Sequence, residues 1–271
     1  MPLSPNDCDF TPLFVGGPPR TGTTLVHALV CTAEETNGFI SECSYFTRLV
    51  SALASGLDLF EVHTRYYFDS REELTFRLSN IIIDELTYIH RKLDRPRILI
   101  LKDPFLTLYF PLLAKVLPNA AFIVCVRDPR DTIASRIEVT RRDKPGSRIT
   151  SAKLTELCCE YVNIYQQILR NLDLFRGRLQ FVGYEELLNP KTLLALQKLG
   201  LSKINPDNLW NDGITNINES PHIDNPWSTP LYGKQISSSS IGRYRSVLSR
   251  HQQQVVWERC REIAVALGII K

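Results

Sequence analysis

The sequence predicts an α/β protein of three layers, in which a central, mostly parallel sheet lies between helices on both faces. Three observations support this. Short apolar runs at residues 13–15, 97–101 and 121–126 lack polar alternation, as expected of strands that are buried on both faces. Stretches with helical periodicity separate the runs. Alternating strands and helices favour parallel strands joined by right-handed crossovers.

The elements follow from these patterns in chain order. After the strand at 13–15, a helix begins near Thr23, and further helices are predicted at 45–55 and 71–92. In the last of these, one apolar face is predicted from Leu74, Leu78, Ile81, Ile82, Glu85 and Ile89. The strands at 97–101 and 121–126, a weaker strand at 179–183 and a helix at 249–267 follow. The polar stretch 204–240 predicts a long ordered loop or lid.

Length and composition indicate one large globular domain over residues 1–271, with 44% hydrophobic and 23% charged residues. A net charge of +3 is too small to predict nucleic acid or an anionic membrane as the main partner. A small anionic ligand is enough to account for this charge.

No apolar run reaches the ~18 residues that cross a bilayer. Residues 1–11 lack a signal-peptide pattern, and the seven cysteines include no C-x-x-C pair. These features predict a cytoplasmic protein.

A candidate anion-binding loop occupies residues 17–24 (GPPRTGTT), between the first strand and the first helix. Backbone N–H groups and the positive end of the helix would converge there, with Arg20 adding charge. A Gly/Pro turn before a helix is the structural alternative. A kinase is the functional alternative, but its loop needs Lys followed by Ser or Thr where this chain has Thr23-Thr24. The pattern therefore predicts a metal-free anionic ligand.

Two more cations stand at strand ends. Lys102 follows the second strand directly, and Arg127 follows the third. Because ligands of open α/β sheets bind beyond the carboxyl ends of the strands, Arg20, Lys102 and Arg127 are expected in one crevice. A solvated strand end is the alternative for each. Ser135 lies about two turns into the helix that Pro129 begins, where its hydroxyl could face the same anion.

With these residues identified, the chain resembles the sulfotransferases that use 3′-phosphoadenosine 5′-phosphosulfate (PAPS). Residues 19–25 (PRTGTTL) resemble the bacterial-type 5′-phosphosulfate loop, and Arg127 with Ser135 in VRDPRDTIAS resembles the 3′-phosphate site. The similarity continues through 183–190 (GYEELLNP) and 240–245 (SIGRYR). The chain departs from the cytosolic members in lacking their R-K-G segment and in having Leu25 where they carry a tryptophan.

The resemblance implies PAPS as co-substrate, with no metal. It assigns the 5′-phosphosulfate to Arg20, Thr21, Gly22, Thr23 and Thr24. It further implies that Arg127 and Ser135 hold the 3′-phosphate, that Tyr184 lies against the nucleotide, and that Arg243 closes over the 3′-phosphate from the C-terminal segment.

Catalytic residues are also implied by the resemblance. Lys102 matches the lysine that opens the family's second catalytic segment, and Arg20 and Lys102 are the candidates that stabilise transferring charge. The histidine base of cytosolic members is replaced by Pro104. Glu42 stands where tyrosyl-protein and heparan sulfate members carry a catalytic glutamate, and is the predicted general base. Less favoured bases are Glu34, Glu35, His63 and His222. His27 is expected to pack within the first helix.

The predicted function is sulfuryl transfer to a hydroxyl, or less readily an amine, of a small-molecule or saccharide acceptor. Three alternatives remain open: a small-molecule kinase with the same sheet and loop, a tyrosyl-protein-type sulfotransferase, and a non-catalytic nucleotide-binding protein. The stretches expected around the acceptor are residues 57–70, 141–151 and 204–232.

Overall fold

The computed structural model describes residues 9–210, 226–227, 231 and 233–269. Its centre is a parallel four-stranded sheet with strands β1 (Thr11–Gly16), β2 (Ile98–Lys102), β3 (Ala121–Val126) and β4 (Leu179–Gly183). The strand order is β2-β1-β3-β4. In this register Val15 of β1 pairs with Lys102 of β2, and Gly16 pairs with Val124 of β3. The strand ends predicted to carry the site therefore lie side by side.

Helices connect the strands and cover the sheet. Within the described ranges the α-helices are α1 (Thr23–Val30), α2 (Ser44–Asp58), α3 (Arg71–Lys92), α4 (Phe110–Val116), α5 (Pro129–Asp143), α6 (Ser151–Leu169), α7 (Leu172–Phe175), α8 (Pro190–Gln197), α9 (Tyr244–Val247) and α10 (Arg250–Ala266). Short 3-10 helices follow β2 at Pro104–Tyr109 and β4 at Tyr184–Glu186. The predicted strands and main helices are all present, with ends that differ by at most three residues.

Two buried apolar clusters lie on opposite faces of the sheet. Phe14 of β1 packs into one cluster with residues of α2, α3 and α6, whereas its neighbours Leu13 and Val15 pack into the other with residues of α1. Successive side chains of a strand point to opposite faces, so each strand contributes to both clusters. This arrangement confirms the predicted three-layer α/β class.

Connections leave β1 and β3 in opposite directions. The chain passes from β1 through α1, α2 and α3 to β2 at one edge, and from β3 through α5 and α6 to β4 at the other edge. Adjacent strands whose connections diverge leave a crevice at their carboxyl ends, which is where ligands of open α/β sheets bind. The loop at 17–22 and Arg127 lie at this crevice.

Other expectations meet the structure only in part. Described residues of the stretch 204–240 include a 3-10 helix at Pro206–Asn208, and Trp210 donates its indole N–H to the carbonyl of Lys234 at 2.7 Å. The rest of that stretch, with His222, lies outside the described residues, as does Cys8. The six cysteines in the described part of the chain have free thiols. No helix among the described residues is long and apolar enough to cross a membrane.

Candidate functional site

The loop after β1 begins with a glycine that is closely surrounded. Gly17 has φ 132°, and its N–H donates to the Thr107 hydroxyl at 2.6 Å. A Cβ atom at Gly17 would lie 2.7 Å from the carbonyl oxygen of Cys125 in β3. The chain can therefore pass this closely over β3 only with glycine at this position.

The loop ends in a second glycine at the start of α1. Thr21 donates its N–H and its hydroxyl to the carbonyl of Pro18, at 3.2 and 2.8 Å, which closes a tight turn. Gly22 is the N-cap of α1 with φ 95°, and no side chain caps the helix. A Cβ at Gly22 would lie 2.5 Å from the ring of Tyr184. The first turn of α1, with Thr23 and Thr24, consequently presents its N–H groups and positive dipole to the crevice.

Lys102, Glu42 and Thr24 form a connected group at this crevice. The ammonium of Lys102 donates to Glu42 Oε1 at 2.6 Å and to Thr24 Oγ1 at 3.1 Å. The Lys102 side chain is 3% exposed, whereas that of Glu42 is 48% exposed. The structure thus joins the predicted base to the predicted phosphosulfate loop through one buried cation, and leaves the carboxylate open to an incoming molecule.

Glu42 reaches this place because the chain before α2 follows the edge strand β2. The Asn37 side chain exchanges two hydrogen bonds with the backbone of Ile100, at 3.1 and 2.6 Å. Further along, the Cys43 N–H donates to the carbonyl of Lys102 at 3.0 Å. Asn37 is buried, so these bonds are shielded from water. They hold Glu42 next to the lysine at the end of β2.

Arg127 lies beneath the loop and holds it from the β3 side. Its guanidinium donates to the carbonyl of Arg20 at 3.0 Å and to the carbonyl of Ser240 at 2.7 Å. It also lies 4.4 Å from the centroid of the Tyr184 ring, whose hydroxyl shares a 2.6 Å hydrogen bond with the Ser240 hydroxyl. Within the described residues, the buried Nε of Arg127 has no hydrogen-bond partner. A buried donor without a partner is suited to an incoming anion.

Arg20 extends from the loop towards α5. It has a left-handed backbone, with φ 77°, and its Nε donates to the Ser135 hydroxyl at 3.0 Å. Another of its N–H groups donates to the carbonyl of Trp227 at 2.7 Å. Burial, together with the positive charges of Arg142 and Arg127, lowers the pKa of Arg20 to about 10. The crevice therefore carries excess positive charge that a bound anion would neutralise.

The C-terminal segment packs over this end of α5. Asp131, which is 3% exposed, accepts the N–H of Gly242 at 2.7 Å and the N–H of Tyr244 at 2.9 Å. Between them, Arg243 forms a 2.6 Å ion pair with Glu138, one turn beyond Ser135 on α5. Arg243 therefore lies near the Arg20 and Ser135 end of the crevice.

The predicted site residues consequently form two neighbouring groups. One contains Lys102, Glu42 and Thr24, and the other contains Arg20, Arg127, Ser135, Tyr184 and Arg243. Arg20, predicted to share the catalytic charge with Lys102, contacts Ser135 in this structure. The loop residues Thr21 to Thr24 connect the two groups.

The less favoured bases lie elsewhere. Glu34 pairs with Lys203 at 3.1 Å, and Glu35 accepts the hydroxyl of Ser202, both beyond the carboxyl end of α1. His63 is exposed past the end of α2. His27 is fully buried, as predicted, and within the described residues neither of its ring nitrogens has a hydrogen-bond partner.

Sequence reasoning missed the residues that position the site rather than line it. The side chains of Asn37, Thr107 and Asp131 bind backbone groups of the crevice segments. The backbone carbonyl of Ser240 accepts a hydrogen bond from the Arg127 guanidinium. Such contacts follow no spacing rule, because the two partners are far apart in the chain. Only Asp131 and Ser240 stood within a motif that the sequence had singled out.

Comparisons with known proteins identify the family of this chain. The model of the Sulfotransferase family matches residues 12–193. A Caenorhabditis briggsae protein named "Putative protein-tyrosine sulfotransferase" is 30% identical over 126 residues, which are 46% of this chain and 42% of that protein. The match thus spans less than half of the relative's length.

Two solved structures share the fold. The sulfotransferase domain from the curacin biosynthetic pathway has a TM-score of 0.57 at 13% identity, covering 93% of this chain and 98% of that one. The sulfotransferase domain of the Synechococcus PCC 7002 olefin synthase has a TM-score of 0.51 at 17% identity, covering 95% and 98%. Since the family match covers more than half of the chain and the fold agrees, this protein belongs to the sulfotransferase family.

Proposed function

We propose that this protein transfers a sulfuryl group from PAPS to a hydroxyl group, or less readily an amine, of an acceptor, with Glu42 as general base. The observation that carries the proposal is the position of Lys102. Its ammonium contacts both the Glu42 carboxylate and the Thr24 hydroxyl of the loop. A base, a cation and an anion-binding helix end are the groups that sulfuryl transfer requires in one place.

The crevice fits a donor with two anionic ends. The first turn of α1, with Thr23 and Thr24, suits the 5′-phosphosulfate. Arg20, Arg127 and Ser135 suit the 3′-phosphate, because Arg20 lies among other arginines and, in the described part of the chain, the buried Nε of Arg127 has no hydrogen-bond acceptor. Tyr184, which packs against both Gly22 and Arg127, is positioned beside the nucleotide in this proposal.

The reaction is an in-line displacement at sulfur. The acceptor oxygen forms a bond to sulfur while the bond between sulfur and the bridging oxygen of PAPS breaks, and the acceptor proton passes to Glu42. Lys102 stabilises negative charge on the transferring and bridging oxygens. The half-exposed carboxylate of Glu42 is open to an acceptor from the solvent side, and the ammonium of Lys102 is buried beside it. The step needs no metal.

The donor site is tested by calorimetric titration with 3′-phosphoadenosine 5′-phosphate (PAP), with and without Mg²⁺, and with ATP. We expect metal-independent PAP binding that Arg127→Ala weakens by about 10- to 100-fold, since charged hydrogen bonds are each worth about 1.5–3 kcal/mol. Arg91→Ala, at an exposed position on α3, is the matched control. Preference for ATP with Mg²⁺ would instead favour a kinase and contradict the proposal.

The base is tested by Glu42→Gln, which keeps an acceptor oxygen for the buried Lys102. We expect turnover of PAPS to fall by about 10²- to 10⁴-fold, in the range of general-base catalysis, with PAP affinity unchanged. Turnover is measured as PAP release with the best acceptor in a panel of phenols, sugars and amines. Full turnover by the variant would remove Glu42 from the mechanism.

A tyrosyl side chain of a protein is the second candidate acceptor, and the similarity to the relative named for protein-tyrosine sulfation favours it. Comparing a tyrosine-containing peptide with a free phenol and a saccharide in the same PAP-release assay decides between them. Faster release with the peptide would assign the acceptor to proteins.

A further inference from the structure

Asp103, the residue that follows Lys102, carries a buried carboxylate outside the groups assigned to the donor and the base. It is 3% exposed, and both of its oxygens accept hydrogen bonds. Oδ2 accepts the hydroxyl of Thr47 at 2.9 Å, and Oδ1 accepts the N–H of Phe105 at 2.8 Å. Removing a carboxylate from water is costly unless such bonds satisfy it, and bonds to a charged acceptor are the stronger kind. Both contacts are therefore expected to be held firmly.

The first contact reaches the helix that follows Glu42. Thr47 is buried in the first turn of α2, and its N–H donates to the carbonyl of Cys43 at 3.0 Å. Cys43 in turn donates its own N–H to the carbonyl of Lys102 at 3.0 Å. The start of α2 is therefore bound at two points one helical turn apart, by the backbone of Lys102 and by the side chain of Asp103. The second point restricts a rotation of this turn that the backbone bond alone permits.

The second contact reaches the anion-binding loop. Asp103 is the N-cap of the 3-10 helix at Pro104–Tyr109, and its carboxylate satisfies an N–H group at the start of that helix. Short 3-10 helices have poor internal hydrogen-bond geometry, so a cap contributes much to holding one in place. Thr107 of this helix is fully buried, and its hydroxyl accepts the N–H of Gly17 at 2.6 Å. The loop at 17–22 consequently begins against a helix whose start Asp103 holds.

We infer that Asp103 is a positioning residue for the proposed sulfuryl transfer, and that its carboxylate fixes the base and the donor loop relative to each other. Its bond to Thr47 acts on the segment that carries Glu42, and its cap acts on the loop through Thr107. The inference rests on the proposed function, because the two parts that it joins are the proposed base and the proposed donor site. Such alignment matters, since a misplacement of about 1 Å can lower a reaction rate by about 100-fold.

Thr47→Val tests the base side. Valine fills the same space without a hydroxyl, so we expect kcat for PAP release to fall by about 10- to 100-fold while the affinity for PAP stays unchanged. Thr47→Ser restores the hydroxyl and should recover most of kcat. Thr75→Val is the matched control, since the Thr75 hydroxyl donates to the carbonyl of Arg71 within α3. A purely structural role would lower stability and leave kcat of the folded protein where it is.

Thr107→Val tests the loop side. The N–H of Gly17 then loses its acceptor, so we expect PAP to bind about 10-fold more weakly and KM for PAPS to rise, with little change in kcat. Thr107→Ser should keep the affinity for PAP. Asp103→Ala removes both contacts and should show both effects, a lower kcat and weaker PAP binding. Asp103→Asn should recover part of each, because its oxygen can accept from Phe105 and its amide can donate to Thr47.

Hydrogen exchange followed by mass spectrometry measures the same two contacts without turnover. Thr47→Val should speed exchange in peptides that cover residues 42–50, and Thr107→Val in peptides that cover residues 14–22. Asp103→Ala should speed exchange in both regions, and Thr75→Val in neither. Local opening of this kind is distinct from global unfolding, which would speed exchange throughout the chain.

Full kcat in Thr47→Val would overturn the inference, and so would uniformly faster exchange along the chain in Asp103→Ala. If Asp103→Ala does not fold, Asp103→Asn and the two threonine variants decide the inference by the same measurements. If the wild type neither binds PAP nor releases it from PAPS, the proposed function fails. The exchange pattern then still decides whether Asp103 joins the two segments.

Discussion

At the scale of single residues, the buried ammonium of Lys102 is the centre of the site. Its side chain is almost wholly buried, and its hydrogen-bond partners are Glu42 and Thr24. A buried charge that loses its partner is strongly destabilising, typically by about 3–5 kcal/mol. The two members of the pair are not equivalent. Water can solvate the half-exposed carboxylate of Glu42 when its partner is removed, but it cannot reach the buried Lys102.

This asymmetry makes Lys102→Met an informative variant. Methionine fills the buried space without charge, and Glu42 stays solvated, so we expect the protein to fold. Loss of transition-state stabilisation should lower kcat by about 10²- to 10³-fold. Steady-state PAP release measures this, with thermal unfolding as the check on folding and the exposed Lys115→Met as control. An unchanged kcat would show that Lys102 only supports the structure.

Gly22→Ala tests the loop. The added Cβ would lie 2.5 Å from Tyr184, and φ at this position is 95°. We expect a loss of about 1–3 kcal/mol in unfolding free energy and weaker PAP binding, because both the backbone and Tyr184 must shift. Gly38→Ala is the matched control, since a Cβ there meets nothing within 4 Å. Equal urea unfolding curves for the two variants would contradict this account of the loop.

At the scale of elements, α5 organises one half of the site. Asp131 in its first turn holds the C-terminal segment, Ser135 contacts Arg20, and Glu138 pairs with Arg243. These positions are three or four residues apart and so lie on one face of the helix. That face joins three segments distant in sequence.

Asp131→Ala should therefore weaken the binding of PAPS without slowing the chemical step. Without the carboxylate, the N–H groups of Gly242 and Tyr244 lose their acceptor, and the segment that carries Arg243 loosens. We expect KM for PAPS to rise by about 10-fold, as for a lost charge-assisted bond, with little change in kcat. Asp131→Asn, which keeps one acceptor oxygen, should rescue part of the effect. A fall in kcat at constant KM would contradict a positioning role.

The helix α3 shows the limit of pattern reasoning at this scale. Its ends, Arg71 and Lys92, agree with the prediction, because Ser70 caps it and the following residues 93–96 break it. Its buried face agrees in part, since Leu74 and Ile82 are buried and Leu78 and Ile89 pack against the core cluster. Ile81 is 47% exposed, whereas Ile83 and Leu86 are buried. At 100° per residue the observed face is rotated by roughly 70° from the predicted one. The helix carries apolar residues around much of its circumference, so the elements that pack against it determine which of these residues are buried.

At the scale of the whole molecule, the strand order creates the crevice. Central positions for β1 and β3 bring the loop at 17–22 next to Arg127, and β2 on the other side of β1 supplies Lys102. The two apolar clusters pack against the strands that carry the crevice residues, so changes in the core are expected to affect global stability.

His27 provides a prediction about pH and stability. Burial, with a smaller effect of Lys102, lowers the pKa of His27 well below its usual value. Below about pH 6.5 the unfolded chain takes up a proton there that the folded protein does not, so stability should fall with acidification, by up to about 1.4 kcal/mol per pH unit.

Urea unfolding of wild type and His27→Leu between pH 7 and 5 measures this difference. Leucine does not titrate, so the variant should lose stability less steeply, while the exposed His251→Gln should follow the wild type. Parallel curves for wild type and His27→Leu would show that His27 takes no part in acid destabilisation.

The sequence alone determined the strands, the main helices and the cations at the strand ends, because buried parallel strands and glycine-rich loops have local signatures. It also singled out Glu42 and Lys102 through resemblance. Only the tertiary structure decided that Lys102 contacts both Glu42 and Thr24, that Arg20 turns to Ser135, and that Asn37 and Asp131 hold the segments in place. These contacts join residues from about 60 to more than 110 positions apart, and no local preference encodes which distant partner a polar side chain meets.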